Sequence, residues 1–219
     1  MYTLRFSPDS ASLIVRLILE ELALPYEARQ IDRAAGELSS PEYRALHPLG
    51  KIPAMETPNG PMFESAAILL YLSDRHPGLA PAPDAQDRAA FLKWFFFTST
   101  NIHTTLMDIY YPERVAGDAA AGSVVTHASA KMKTLLAAIN QAAEDNPNWL
   151  SFEQPSLLGY YIAVLMRWLG QNDPEATGYI KASDYPALHK VLAMLEMRPA
   201  SLATAAAEGL GKTIFTMPS

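Results

Sequence analysis

The pattern of apolar and polar positions changes character once along the chain, near residue 80. Before that point, short runs with strand character alternate with helical spacing. Tyr2 to Phe6 reads as a strand ended by Ser7-Pro8-Asp9. Over residues 11–23 the apolar positions Leu13, Ile14, Leu17, Ile18 and Leu22 recur at the spacing of one helix face. Residues 26–31 form a second strand. A strand–helix–strand unit of this length implies a parallel pair with a right-handed crossover. A short helix around residues 41–46 follows. Residues 53–57 and 61–63 then flank Pro58-Asn59-Gly60, and Asn-Gly between two short runs signals a hairpin. Residues 65–75 return to helical spacing. This order predicts a small mixed α/β sheet.

After residue 80 nearly everything reads as helix. The break falls at His76-Pro77-Gly78-Leu79-Ala80-Pro81-Ala82-Pro83, which cannot continue a helix. We therefore expect two domains, residues 1–79 and 80–219. Residues 86–111 read as one long aromatic helix and residues 119–145 as an Ala-rich one. Residues 156–169 are apolar nearly all round, the mark of a central, buried helix. Asp184 is placed as the N-cap of a helix through Met197, with Pro186 in its first turn. A last helix covers 199–208, and from Gly209 onward no pattern is legible.

Composition narrows the function. Of 219 residues 49% are hydrophobic, enough for a packed core. Lys and Arg number 17 against 23 Asp and Glu, a net charge of −6, which argues against a nucleic-acid partner. Charged residues are 18%, below the roughly 25% usual for soluble domains, so some apolar surface is expected to face a partner subunit or a ligand. There is no cysteine, which excludes disulfides, thiolate metal sites and a cysteine nucleophile. His47, His76, His127 and His189 show no metal-ligand spacing. The N-terminus lacks an apolar leader and no run is long enough to span a membrane, so a cytoplasmic protein is expected.

Three segments carry candidate chemistry. In Leu49-Gly50-Lys51-Ile52-Pro53-Ala54 the proline opens a strand. If its bond is cis, the backbone of Ile52 turns outward and can pair with an extended peptide; otherwise Pro53 is an ordinary edge-strand proline. In Glu64-Ser65, a hydroxyl at a helix start suits a carboxylate, and the acid beside it suits an ammonium. The alternative is plain capping. In Ser7-Pro8-Asp9-Ser10-Ala11-Ser12, hydroxyls at a helix N-terminus can favour a thiolate over a thiol. Here too Ser10 or Ser12 can simply cap the helix.

Together these segments resemble the cytosolic glutathione transferases, over nearly the whole length. The resemblance rests on Ser7-Pro8, on Leu19-Glu20-Glu21-Leu22-Ala23-Leu24-Pro25-Tyr26-Glu27, on His47-Pro48-Leu49-Gly50-Lys51-Ile52-Pro53-Ala54, and on Glu64-Ser65-Ala66-Ala67-Ile68-Leu69-Leu70-Tyr71-Leu72. It implies a thioredoxin-like N-terminal domain followed by an all-helical C-terminal domain.

It also implies roles. Ile52, ahead of a cis Pro53, would pair with the cysteinyl part of glutathione; Glu64 and Ser65 would take the γ-glutamyl amine and carboxylate; Lys51 would reach the glycyl carboxylate. Ser10 aligns with the thiol-activating hydroxyl of serine-type members, with Ser12 as the second choice. Ala11 stands where cysteine-type members carry their nucleophile, and no tyrosine ends the first strand, so a serine-type, bacterial-looking member is implied.

In the helical half, Asn101 and His103 would face the cleft, His103 donating to the thiolate or touching the second substrate, the alternative being a helix histidine satisfied locally; Tyr110 and Tyr111 would reach a pocket for the second substrate unless they serve as core or dimer contacts. Glutathione is implied as co-substrate, without a metal, together with an electrophilic small molecule and a homodimer; no nucleic-acid or membrane partner is expected. The implied reaction is conjugation. Disulfide or peroxide reduction at the same site, and non-catalytic binding of ligands or partners, are the alternatives. One departure stands out. The family opens its buried second-domain helix with Ser/Thr-x-x-Asp, whereas Ser156-Leu157-Leu158-Gly159 keeps the cap and lacks the acid.

Overall fold

The computed structural model describes residues 1–218. It divides into two compact units, one of Met1–Gly78 with Arg198–Lys212, the other of Leu79–Met197 with the residues from 213 onward. The expected boundary at 79/80 follows the chain order. Contacts differ from it at the far end, because the last helix folds into the first unit.

In the first unit, β1 (Tyr2–Phe6), β2 (Tyr26–Gln30), β3 (Ala54–Thr57) and β4 (Gly60–Phe63) form a sheet of order β2-β1-β3-β4. β1 and β2 are parallel, from Tyr2 opposite Tyr26 to Phe6 opposite Gln30. The other two pairings are antiparallel, with Arg5 opposite Ala54 and Ala54 opposite Phe63. Helix α1 (Ser12–Glu21) crosses between β1 and β2 and buries Leu13, Ile14, Leu17 and Ile18 completely. Each such side chain contributes roughly 1.5–3 kcal/mol relative to exposure. Helix α2 (Pro41–Leu46) is capped by the Ser40 hydroxyl, which accepts from the Tyr43 N–H. Helix α3 (Ser65–Arg75) follows the hairpin.

The second unit begins with α4 (Arg88–Phe97) and α5 (Thr104–Tyr110). The expected single helix is interrupted between them by a π-helical segment, Thr98–His103. The hydroxyls of Thr98, Thr100 and Thr104 bond back to the carbonyls of Trp94, Phe96 and Thr100, at 2.7–2.9 Å. Such back-bonding competes for helix acceptors and loosens the ladder. Helices α6 (Glu113–Ala116) and α7 (Ala121–Glu144) precede α8 (Leu157–Gly170), in which Leu157 to Leu169 are all buried, as its apolar sequence predicts.

Helix α9 (Pro186–Glu196) corrects one expectation: Asp184 does not cap it. Instead Asn140, on α7, accepts from the N–H groups of Ala187 and Leu188, at 3.0 and 3.2 Å. Helix α10 (Pro199–Glu208) belongs to the first unit, where the side chains of Arg198 and Glu208 pair with Glu21 and Arg16 of α1. Among the described residues no helix is long and apolar enough to cross a membrane.

Candidate functional site

Strand register gathers three segments at one end of the sheet. Arg5 lies opposite Ala54, so the chain leaves β1 into residues 7–12 beside the start of β3. Ala54 lies opposite Phe63, which brings Pro53 and Glu64 side by side where the hairpin opens. Thus Lys51, Ile52, Pro53, Glu64, Ser65 and the serine turn share an edge, although 58 residues of sequence separate Ser7 from Ser65.

The Ile52–Pro53 peptide bond is cis. Pairing of β3 starts only at Ala54, so Ile52 lies outside the ladder. Its side chain packs against the buried cluster of Ile31, Tyr43 and Ala54. Just before it, the Tyr43 hydroxyl donates to the Lys51 carbonyl at 2.7 Å, and burial pushes that phenol's pKa up to about 12. Gly50 has φ +60, and a Cβ there would run into the Leu38 carbonyl oxygen, which leaves glycine as the residue that fits. The Lys51 side chain is exposed.

At Glu64-Ser65 the capping alternative is not what the structure contains. Glu64 occupies the N-cap of α3 with φ +69 and makes no side-chain cap bond. A non-glycine residue at positive φ costs on the order of 1–2 kcal/mol, a strain that concentrates where function requires it. Ser65, first in the helix, is 7% exposed, and among the described residues its hydroxyl has no hydrogen-bond partner. The α3 N-terminus therefore presents free N–H groups, the hydroxyl of a largely buried serine and an adjacent exposed carboxylate. His47, which opens one of the resemblance segments without a role of its own there, is buried behind this edge with its ring 4.8 Å from Phe63. Burial lowers its pKa, partly opposed by the Glu64 charge. Its Nδ1 accepts from the Leu49 N–H at 3.3 Å, so His47 braces the Lys51 loop.

In the serine turn neither Ser10 nor Ser12 caps α1; Ala11 is the N-cap and makes no side-chain bond. The Ser10 hydroxyl donates to the Ser7 carbonyl at 2.7 Å and lies 2.9 Å from the Ser12 hydroxyl. Ser12 is fully buried, 3.2 Å from the same carbonyl, and accepts from the Ser7 N–H at 3.3 Å. Ser10 is only half-buried. Ser7 thus organises both hydroxyls, a role its sequence neighbourhood did not signal. It also lines a groove of about 440 Å³ with Gln30, Ile31, Asp32 and Arg33, at the carboxyl ends of the parallel strands β1 and β2. That placement was the available signal, since ligands in α/β sheets favour the carboxyl ends of strands.

The remaining candidates belong to the second unit. Asn101 and His103 both fall in the π-helical segment, a feature frequent at functional sites. His103 Nδ1 lies 2.8 Å from the Tyr161 hydroxyl, with the two rings edge to face, and desolvation pushes its pKa down to about 4. It is therefore a neutral imidazole at pH 7. The Asn101 amide donates to the Thr100 hydroxyl at 3.1 Å. The Tyr110 hydroxyl donates to the Trp168 carbonyl at 2.6 Å, which anchors it to the end of α8. Tyr111, 37% exposed, carries the Arg114 guanidinium over its ring at 3.7 Å. Among the described residues no cluster of His, Asp and Glu is placed to hold a metal ion.

Comparison with known proteins agrees with this geometry. Residues 1–80 match the family described as glutathione S-transferase, N-terminal domain. A glutathione S-transferase of Xanthomonas campestris, GST-4.5, is 26% identical, covering 78% of this chain and 84% of that protein. The Escherichia coli disulfide-bond oxidoreductase YfcG is 28% identical, over 92% of this chain and 93% of its own. The structure of a sphingomonad glutathione S-transferase complexed with glutathione superposes with a TM-score of 0.76 at 29% identity, over 95% of this chain and all of that one. A mixed four-stranded sheet with a cis-proline ahead of β3, the uncapped Glu64-Ser65 helix start and these likenesses lead to one conclusion: residues 1–80 form a glutathione S-transferase N-terminal domain, and the chain has the glutathione transferase fold.

Proposed function

We propose that this protein is a serine-type glutathione S-transferase, conjugating glutathione to an electrophilic, mostly apolar small molecule. The observation that carries the reading is the α3 N-terminus. Its strained Glu64, unpartnered Ser65 hydroxyl and uncapped N–H groups are matched to an amino-acid head group bearing both an ammonium and a carboxylate. Beside it, the backbone of Ile52 outside the β3 ladder is available to an extended peptide, and Lys51 offers a cation for a second carboxylate.

Ser10 is the hydroxyl we assign to the thiol. It is the accessible one, whereas Ser12 is enclosed. Turning from the Ser7 carbonyl, Ser10 donates to the substrate sulfur, with Ser12 at 2.9 Å able to donate to Ser10 behind it. The thiol loses its proton to solvent. The thiolate then attacks the electrophilic carbon, the S–C bond forms, and the leaving group departs with its electron pair. The serine stays unmodified and acts by electrostatic stabilisation.

Neutral His103 and its π-helical neighbour Asn101, with Tyr110 and Tyr111, are the residues we assign to the second substrate. A homodimer is part of this reading, supported by exposed Phe63 and Phe96, and so is a cytoplasmic, cysteine-free setting.

Glutathione titration by calorimetry, with thiolate absorbance followed against pH, tests the reading. Wild type is expected to bind, Glu64→Ala to bind at least tenfold more weakly, and Ser10→Ala to bind with its thiol pKa raised. Absence of binding by wild type overturns it. A second reading, glutathione-dependent disulfide reduction at the same site, is favoured by the likeness to YfcG. Turnover of a disulfide against an aryl halide separates the two.

A further inference from the structure

Far along the sequence from the serine turn, one carboxylate reaches back to it. The Asp9 N–H donates to Oε2 of Glu208, near the end of α10, at 2.9 Å and across 199 residues of sequence. Asp9 itself sits at φ +49, in the left-handed region that non-glycine residues avoid. The other oxygen of Glu208 lies 2.9 Å from Nε of Arg16, and neither side chain is more than 6% exposed. Arg16 projects from α1 six residues beyond Ser10, and its guanidinium lies 4.3 Å over the Phe6 ring, at the end of β1. The pair therefore holds the serine turn at Asp9 and covers the strand end that leads into it. Glu208 holds the amide immediately before Ser10, while Arg16 holds Glu208 and covers the strand end from which the turn departs.

We propose that Glu208 is a positioning residue for the thiol-activating turn, fixing Asp9 in its left-handed conformation and with it the direction of the Ser10 hydroxyl. The clamp explains why α10 folds into the same unit as β1 and α1. A helix–helix contact alone does not require a buried carboxylate, and burying an ion pair is costly unless its hydrogen bonds are filled. Here Oε2 of the carboxylate accepts from the turn, while Oε1 meets Arg16 as an ion pair rather than through an aligned hydrogen bond. The use of this turn in thiol activation rests on the transferase reading above; its conformational control by Glu208 does not.

Two double variants isolate the clamp without stranding a buried charge. Arg16→Met with Glu208→Gln removes both charges and keeps an acceptor for the Asp9 amide. Arg16→Met with Glu208→Leu removes the acceptor as well. Amide hydrogen exchange is the first measurement, with α8 as internal control. The Gln pair is expected to protect the Asp9 amide within about threefold of wild type. The Leu pair is expected to exchange at least tenfold faster there, with α8 unchanged. The second measurement is the pKa of bound glutathione's thiol. It should rise by about one unit, a tenfold loss of thiolate preference, in the Leu pair only, with glutathione affinity within threefold.

Equal exchange at Asp9 in the two folded variants overturns the clamp, whatever glutathione does. Faster exchange with an unmoved thiol pKa overturns the link to activation. If wild type binds no glutathione, the transferase reading and the activation role fall together, and the exchange data still decide the clamp.

Discussion

Glu196 and Thr216 meet through two hydrogen bonds, and the same carboxylate takes a third from Phe215. Glu196, at the end of α9, accepts from the Thr216 hydroxyl at 2.7 Å, from the Thr216 N–H at 3.0 Å and from the neighbouring Phe215 N–H at 2.7 Å. Just before them in the tail, the Ile214 carbonyl accepts from Arg167 of α8, 1% exposed, at 2.9 Å. The C-terminal tail is thereby stitched to α8 and α9, and Phe215 is fully buried. Replacing Glu196 by Ala leaves buried donors unpaired, at about 1–3 kcal/mol each in the worst case. We expect Glu196→Ala to lower unfolding stability by about 3 kcal/mol and Glu196→Gln by less, since an amide oxygen still accepts. Urea unfolding reads both; equal losses would show that the charge, and not the acceptor, holds the tail.

The cap of α8 explains its departure from the family pattern. The Ser156 hydroxyl accepts from the Gly159 N–H at 3.0 Å, inside the core. A Cβ on Gly159 would lie 2.9 Å from that hydroxyl oxygen, 3.3 Å from Leu195 and 3.4 Å from Val191. Helix α9 has closed over the position where an acid would otherwise complete a capping box. Ser156→Ala should cost about 1–2 kcal/mol. Gly159→Asp should destabilise as well, because overpacking at about 1–3 kcal/mol outweighs the restored box. A stabilised Gly159→Asp in urea unfolding would contradict this packing argument.

His103 gives the protein an acid-side liability. Its pKa is pushed down to about 4 in the fold from the ordinary 6.5. Between those values the unfolded chain holds a proton that the folded one refuses. The stability associated with neutral His103 is therefore complete above pH 6.5 and falls as pH drops toward 4, by at most about 1.4 kcal/mol per pH unit. Unfolding curves at pH 7.5, 5.5 and 4.5 should be less pH-dependent for His103→Gln than for wild type. Parallel dependences would assign the titration elsewhere.

Strain at Glu64 can be separated from binding. With φ +69 at that residue, Glu64→Gly relieves the backbone while removing the carboxylate, and Glu64→Ala removes the carboxylate and keeps the strain. Glu64→Gly should be the more stable by roughly 0.5–1 kcal/mol, and the two should lose glutathione affinity to a similar, at least tenfold, degree. Thermal unfolding together with calorimetry checks both halves. A Gly variant that binds like wild type would remove the carboxylate from the site.

Local pattern was enough to read the elements and their order: the alternation of β1, the face of α1, the Asn59-Gly60 hairpin and the apolar run of α8 each declare themselves within a few turns. Motif spacing likewise marked Ile52-Pro53 and Glu64-Ser65, because a strand-opening proline and a hydroxyl at a helix start are local devices. What stayed hidden depends on partners distant in sequence. The true cap of α9 is Asn140, not the adjacent Asp184; the carboxylate holding Asp9 is Glu208; the unread tail is ordered by Arg167 and Glu196. Serine hydroxyls show the same limit: the resemblance alone ranked Ser10 ahead of Ser12, both bond the Ser7 carbonyl, and it is burial in the fold that separates the enclosed Ser12 from the half-buried Ser10. Hydrophobic period and turn chemistry act over neighbouring residues and leave a trace in the sequence; buried polar groups are satisfied by whatever the packed fold brings within 3 Å or so, and that choice is made in tertiary structure.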